Sequence, residues 1–108
     1  MLFSRTPSIS VQEAAERLAT REPVLVDVRE PVEARSGRIP GACQIPLSQL
    51  RSRLDELDRH SRVAFLCQSG VRSARATKIA RKAGYDASNV RGGMIAWKST
   101  GLPISRRG

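Results

Sequence analysis

Two short, predominantly apolar runs constrain this chain most: Val24-Leu25-Val26-Asp27-Val28 and Val63-Ala64-Phe65-Leu66. Neither alternates polar with apolar residues, so neither suits a strand with one wet face. A strand covered on both sides by helices reads this way, and that arrangement belongs to parallel sheets. Each run is followed by turn residues and then by a helical pattern. Strands alternating with short helices predict an α/β architecture: a mostly parallel five-stranded sheet with helices on both faces. The remaining strands are shorter. They are Ser8-Ile9-Ser10, Cys43-Gln44-Ile45 (stopped by Pro46) and Ser88-Asn89-Val90.

The helices carry their own signals. Ser10 and Glu13 have the spacing of a capping box, and the helix they open is expected to run to about Ala19, with Val11, Ala14, Ala15 and Leu18 on one face. A short helix from Glu30 to Ser36 tolerates Pro31 in its first turn. Ser48 can cap a helix bearing Leu50, Leu54 and Leu57. A helix from Ser73 to Ala83 ends at Gly84, a common residue just past a helix end. Gly92-Gly93 breaks the chain before a last turn or helix through Ala96 and Trp97. Trp97, Met94 and Ile95 read as core cover over the sheet. The chain is expected to be a single domain over 1–108, with 1–7 and 104–108 as loose ends.

With 40% apolar residues but only one Trp, one Tyr and two Phe, the core must be aliphatic. Cys43 and Cys67 form neither a disulfide framework nor a C-x-x-C pair, and a single histidine gives no zinc spacing. No metal and no cofactor is expected, and a reducing compartment fits. No apolar stretch approaches the ~20 residues of a membrane span, and Met1 to Pro7 lacks the apolar segment of a signal peptide. A cytoplasmic protein is the expectation. The formal charge is +9. Its basic residues are scattered apart from Arg72 to Lys82 and Arg106-Arg107, without interleaved aromatics. A solvated basic surface is therefore expected in preference to a nucleic-acid partner. Oligomeric state leaves no signal.

In parallel sheets, ligands bind beyond the carboxyl ends of strands. Asp27 lies at that end of the first run, and Cys67 follows the second. If the two strands are neighbours, Asp27-Val28-Arg29 and the segment Cys67-Gln68-Ser69-Gly70-Val71-Arg72-Ser73 share one edge. A thiol between a strand and a helix N-terminus meets unpaired N–H groups and partial positive charge, which favour the reactive thiolate. Gly70 allows a tight turn. Successive loop N–H groups make an anion cradle, Ser73 is placed to cap the helix, and Arg72 adds a permanent charge. Such a cradle fits a thiolate, a persulfide or the oxyanion of a small donor. This requires a sulfur that is reachable from water and faces its amides. His60, a full strand away from Cys67, is expected at the opposite end of the sheet, so activation falls to backbone dipoles and Arg72. A thiol packed as a small hydrophobe is the plainer reading for Cys67, but it leaves the residues at 70, 72 and 73 unexplained. For Cys43, a packed thiol on a buried strand is the expectation.

The Cys67 to Ser73 segment resembles the active-site loop of single-domain rhodaneses, which are sulfurtransferases. Leu25-Val26-Asp27-Val28-Arg29-Glu30 is similar to that family's strand-end motif. Gly37-Arg38-Ile39-Pro40-Gly41-Ala42 is similar to another of its segments, with Arg38 in place of a histidine. Gly92-Gly93-Met94-Ile95-Ala96-Trp97 with Gly101-Leu102-Pro103 is similar to its C-terminal signature. The resemblance implies that Cys67 is the nucleophile. It would take a sulfane sulfur from a small anionic donor such as thiosulfate, become a persulfide, and pass the sulfur to cyanide, a thiol or a protein. It further implies that backbone N–H groups of Gln68, Ser69, Gly70, Val71, Arg72 and Ser73 stabilise the anionic sulfur. Arg72 is expected to hold the loop by pairing with Asp27, and Arg29 to pair with Glu30 or another nearby acid. Asp27 and Arg29 are then support, not chemistry. Gln68 and Val71 stand where relatives that use thiosulfate often carry charge, which points toward a persulfide donor. Two other readings stay open. One is a non-catalytic interaction module of the same family. The other is a small cysteine-dependent phosphatase or arsenate-reductase-like enzyme, whose loop is one residue longer than the four residues between Cys67 and Arg72.

Overall fold

In the computed structural model of the chain, which describes residues 6–106, five strands form one sheet. They are β1 (Ser8–Ile9), β2 (Val24–Asp27), β3 (Cys43–Gln44), β4 (Val63–Leu66) and β5 (Ala87–Val90), in the order β1-β5-β4-β2-β3. Every strand pairing in it is parallel. The two long apolar runs are the central neighbours β2 and β4, with Asp27 opposite Leu66. That register sets Asp27 and Cys67 on one carboxyl edge, as the sequence predicts.

Side chains alternate across a strand, and the core divides accordingly. Val26, Val28, Phe65 and Cys67 join Leu50, Ala76 and Ala80 on one face. Leu25, Ala64 and Leu66 join Val11, Met94 and Trp97 on the other. The first face is covered by α3 (Leu50–Arg53) and α4 (Val71–Lys82), the second by α1 (Val11–Glu16) and α5 (Gly93–Ser99). The short α2 (Pro31–Ala34) follows β2. The fold is thus α/β with helices on both faces.

Several elements differ from expectation for physical reasons. The Ser10–Glu13 capping box forms, with the Glu13 amide donating to Ser10 Oγ at 3.0 Å. Yet α1 stops at Glu16, because the amides of Leu18 and Thr20 reach back only three residues into tight turns. The helix expected to carry Leu50, Leu54 and Leu57 is broken into α3 between two 3-10 turns, Leu47–Gln49 and Leu54–Glu56. There the Leu57 amide reaches back only three residues, to the Leu54 carbonyl at 2.9 Å, and the Tyr85 hydroxyl donates to the same oxygen at 2.6 Å. Cys43 is exposed, not packed, because β3 is an edge strand only two residues long. Met94 and Trp97 are fully buried, but Ile95 turns outward.

The tail is tied down through Ser105. Ile104 packs on the Trp97 cluster, and Arg38 and Ser105 exchange backbone hydrogen bonds at 2.8 and 2.7 Å. Of the ends expected to be loose, residues 1–5 and 107–108 lie outside the described residues. No helix among the described residues is long and apolar enough to cross a membrane. His60 is exposed in the turn before β4, at the far end of the sheet from Cys67.

Candidate active site

After Leu66 the chain returns in a few residues to begin α4 at Val71, earlier than the Ser73 start the sequence suggests. Gly70 makes this possible. It sits at φ +110°, a left-handed value that a side chain resists, and it donates its amide to Cys67 Sγ at 3.1 Å. Ser73 is not the cap. It is fully buried in the first turn of α4, and its amide also donates to Cys67 Sγ, at 3.4 Å. The sulfur therefore takes the place of a capping oxygen, absorbing N–H groups that a helix start leaves unpaired.

The Ser73 hydroxyl lies 3.3 Å from Sγ and donates to Asn89 Oδ1 at 2.5 Å. A hydroxyl has one proton. While that proton goes to Asn89, the thiol can donate to Ser73 Oγ; once the thiol ionises, the hydroxyl can turn to the thiolate. Asn89 Nδ2 donates to the Gly70 carbonyl at 3.3 Å, closing the circuit. Burial pushes the Cys67 thiol pKa up. Hydrogen bonds from the Ser73 hydroxyl and from the amides of Ser73, Gly70 and Ser69 outweigh that, and hold it below the ordinary 9.0.

The sulfur faces its amides, but it is not open to water. Cys67 is only 1% exposed, which corrects the expectation of a reachable thiol. Around it, Ser69 and Val71 are exposed, while Gln68 and Gly70 are partly covered.

A second helix start holds the loop from the other side. The Met94 amide donates to the Cys67 carbonyl at 2.9 Å, and the Ile95 amide to the Gln68 carbonyl at 3.1 Å. Gly93 makes this approach possible. It sits at φ +53°, and a Cβ there would collide with the Cys67 carbonyl oxygen and the Gln68 backbone. The glycine pair that reads as a chain break is thus a docking point.

Arg29 pairs with a nearby acid as expected, but Arg72 does not take the partner expected of it. Arg72 does not reach Asp27. It forms a bidentate pair with Glu33 of α2, Nη1 to Oε1 at 2.6 Å and Nη2 to Oε2 at 2.7 Å. That fork-on-carboxylate geometry is strong. It lowers the Glu33 pKa from 4.5 to about 2, and Glu33 in turn raises that of Arg72. Asp27 is taken instead by Arg29: Oδ1 accepts from the Arg29 backbone at 3.0 Å, and Oδ2 from Nη2 at 2.8 Å. Arg29 Nη2 also donates to the Gly37 carbonyl at 2.9 Å. Two residues apart, Asp27 and Arg29 close on each other more cheaply than either could on the loop.

Glu33, Asn89 and Gly93 touch the loop or its arginine, and sequence reasoning singled out none of them for that role. Glu33 reads as one more charge on a short helix. Asn89 reads as a strand residue. Only the Gly92-Gly93 pair carries a signal, as a chain break and as part of the C-terminal signature, and neither points to the loop.

A thiol poised as a hydrogen-bond acceptor at the carboxyl edge of a parallel sheet defines a class, the small α/β domains built around one cysteine loop. Within that class, the chain belongs to the rhodanese-like domain family, whose match spans residues 10–100. It is 41% identical over 98 residues to a sulfurtransferase of Allochromatium vinosum, covering 89% of this chain and 92% of that protein. It is 36% identical over 108 residues to the human thiosulfate:glutathione sulfurtransferase, covering 84% of this chain and 92% of the relative. Among solved structures, a rhodanese-related protein from Thermoplasma volcanium superposes with a TM-score of 0.87 at 32% identity, covering 94% of this chain and 99% of that one.

Proposed function

We propose that this chain is a sulfurtransferase that carries a sulfane sulfur on Cys67. One observation bears most of the weight: Sγ accepts the Gly70 and Ser73 amides while touching the Ser73 hydroxyl. The thiolate attacks the sulfane sulfur of the donor. A new S–S bond forms at Cys67, and the donor's own bond to that sulfur breaks. Sulfite, from thiosulfate, or a thiolate, from a persulfide, leaves with the electron pair. A cyanide ion or acceptor thiolate then attacks the outer sulfur, and the pair returns to Cys67. No oxidant is consumed. The remaining amides of the turn, those of Gln68, Val71 and Arg72, are the donors available to the second sulfur, beside the Ser69, Gly70 and Ser73 amides that already face Cys67. Asp27 and Arg29 act only by holding the sheet edge.

A persulfide donor suits the turn better than dianionic thiosulfate. Gln68 and Val71 are uncharged, and Arg72 is already paired with Glu33. The same pairing argues against phosphate chemistry, because Arg72 points to α2 and does not close over a tetrahedral anion. The retained, hydrogen-bonded Cys67 argues against a purely non-catalytic module. Thiocyanate formation from cyanide tests the proposal. The chain should produce it faster with glutathione persulfide than with equal thiosulfate, and Cys67→Ala should produce none. Unchanged turnover by Cys67→Ala would reject Cys67 as the carrier, and robust hydrolysis of a phosphotyrosine analogue would favour the phosphatase.

A further inference from the structure

Three large hydrophobic side chains are exposed among the described residues: Val71 at 75%, Val32 at 67% and Ile95 at 55%. They come from three different helices, yet all lie at the sheet edge that carries Cys67. Val71 is in the loop itself. Val32 adjoins Glu33, which holds Arg72. The Ile95 amide is bonded to the loop carbonyl of Gln68. Scattered surface hydrophobics need no explanation. A set gathered around one buried thiol does, because apolar collars mark contact surfaces.

A trough runs between α3 and α4, and its upper end reaches Arg72, the neighbour of Val71. Its upper part is lined by Arg72, Arg75 and Arg51, and its lower part by Arg51, Arg75, Lys78 and Lys82. Ile79 lines both parts, and the floor continues through Leu47, Leu54 and Ala83, each packed on the core and partly open. Glu30 is the one acid in the lining. Arg51, Arg75, Lys78 and Lys82 have no ion-pair or hydrogen-bond partner among the described residues, unlike Arg29, Arg53, Arg62 and Arg72. Positions 72, 75, 78 and 82 recur at three- and four-residue spacing, so they share one face of α4 over about 15 Å.

We infer that the collar and trough form one docking surface for a protein sulfur acceptor with an acidic face, whose thiol is presented to Cys67. This rests on the sulfurtransferase reading and names its acceptor class. Four unpaired cations around one trough, three of them along one face of α4 and Arg51 opposite on α3, call for several carboxylates at matching spacing, more than a small thiol carries. The apolar floor calls for side chains that a phosphodiester backbone lacks. No aromatic residue lines the trough, so single-stranded nucleic acid finds no stacking platform. A second copy of the chain, at +9, would be repelled.

The test uses chain already loaded as the Cys67 persulfide, so that donor preference plays no part. Sulfur transfer is timed to three probes: a cysteine peptide with flanking Glu and Leu residues, the same peptide with Lys for Glu, and the neutral small thiol dithiothreitol. The inference expects the acidic peptide to react at least about tenfold faster than the basic one at low salt, with the gap closing in high salt. The triple variant Arg75→Glu/Lys78→Glu/Lys82→Glu should lose that advantage and keep its rate with dithiothreitol within about twofold. Val32→Ser should slow both peptides and spare dithiothreitol. Equal rates for the two peptides would overturn the inference. So would a single-stranded oligonucleotide that blocks peptide transfer at concentrations below those at which the acidic peptide saturates, since the trough would then be a nucleic-acid site. If no persulfide forms at all, the sulfurtransferase reading itself has failed, a result distinct from either.

Discussion

Two arginine–carboxylate pairs flank the Cys67 turn, and they do different work. Asp27 and Arg29 are 2% and 1% exposed. Glu33 and Arg72 are 32% and 37% exposed. The first pair sits within the sheet edge, where each charge needs the other and removal of one strands its partner. The second spans from α2 to α4 in contact with water, which screens it. The buried pair therefore fixes the platform, while the half-open pair orients the start of α4 at small cost to stability.

Substitutions can break or sharpen this contrast. The largest effect is expected from Arg29→Ala, which leaves Asp27 buried without its partner and should cost about 3–5 kcal/mol in denaturant unfolding. A loss below about 1 kcal/mol would mean the pair is no platform. Gly93→Ala comes next. Its methyl meets the Cys67 carbonyl and its backbone is left-handed, so a loss of about 3 kcal/mol and a displaced loop are expected. Ser73→Ala removes a direct hydrogen bond to Sγ and leaves Asn89 Oδ1 without its donor. It should cost about 1–2 kcal/mol. It should also move the midpoint of Cys67 alkylation upward toward 9.0; an unmoved midpoint would assign the depression to the amides alone. The plateau rate should stay low in both proteins, because the sulfur is covered.

The smallest effect belongs to Glu33→Gln, below about 1 kcal/mol for a pair this exposed. Its pH dependence is specific. Glu33 has a pKa of about 2 when folded, against 4.5 for the free side chain. Its contribution is therefore whole above pH 4.5 and is lost as the pH falls through 2. The difference in stability between wild type and Glu33→Gln should vanish in that acid window. A difference that persists below pH 2 would show that Glu33 acts by packing.

What was legible in the sequence follows from how local the physics is. The mostly apolar Val24–Val28 and Val63–Leu66 runs announce a covered parallel sheet, because burial on both faces leaves no polar alternation. Cys67 and Gly70 announce a tight turn because only backbone chemistry is involved. The partner of Arg72 was not legible. Glu33 lies far away in sequence, and nothing local distinguishes it from Asp27. Ser73 misled for a related reason. A serine near a helix start reads as a cap, but here a sulfur takes that duty and the serine turns inward to Asn89, a contact between a helix and β5 that only the assembled sheet supplies. Cys43 was misjudged because strand propensity does not say which strand lies at an edge.

The central claim is that Cys67 Sγ, held among amide donors, carries a second sulfur, and intact mass after exposure to a persulfide donor tests it most directly. The chain and a Cys43→Ser variant should each gain about 32 Da, and cyanide should remove it. Cys67→Ala should gain none. No gain in wild type, or a gain that follows the exposed Cys43 and survives in Cys67→Ala, would contradict the account.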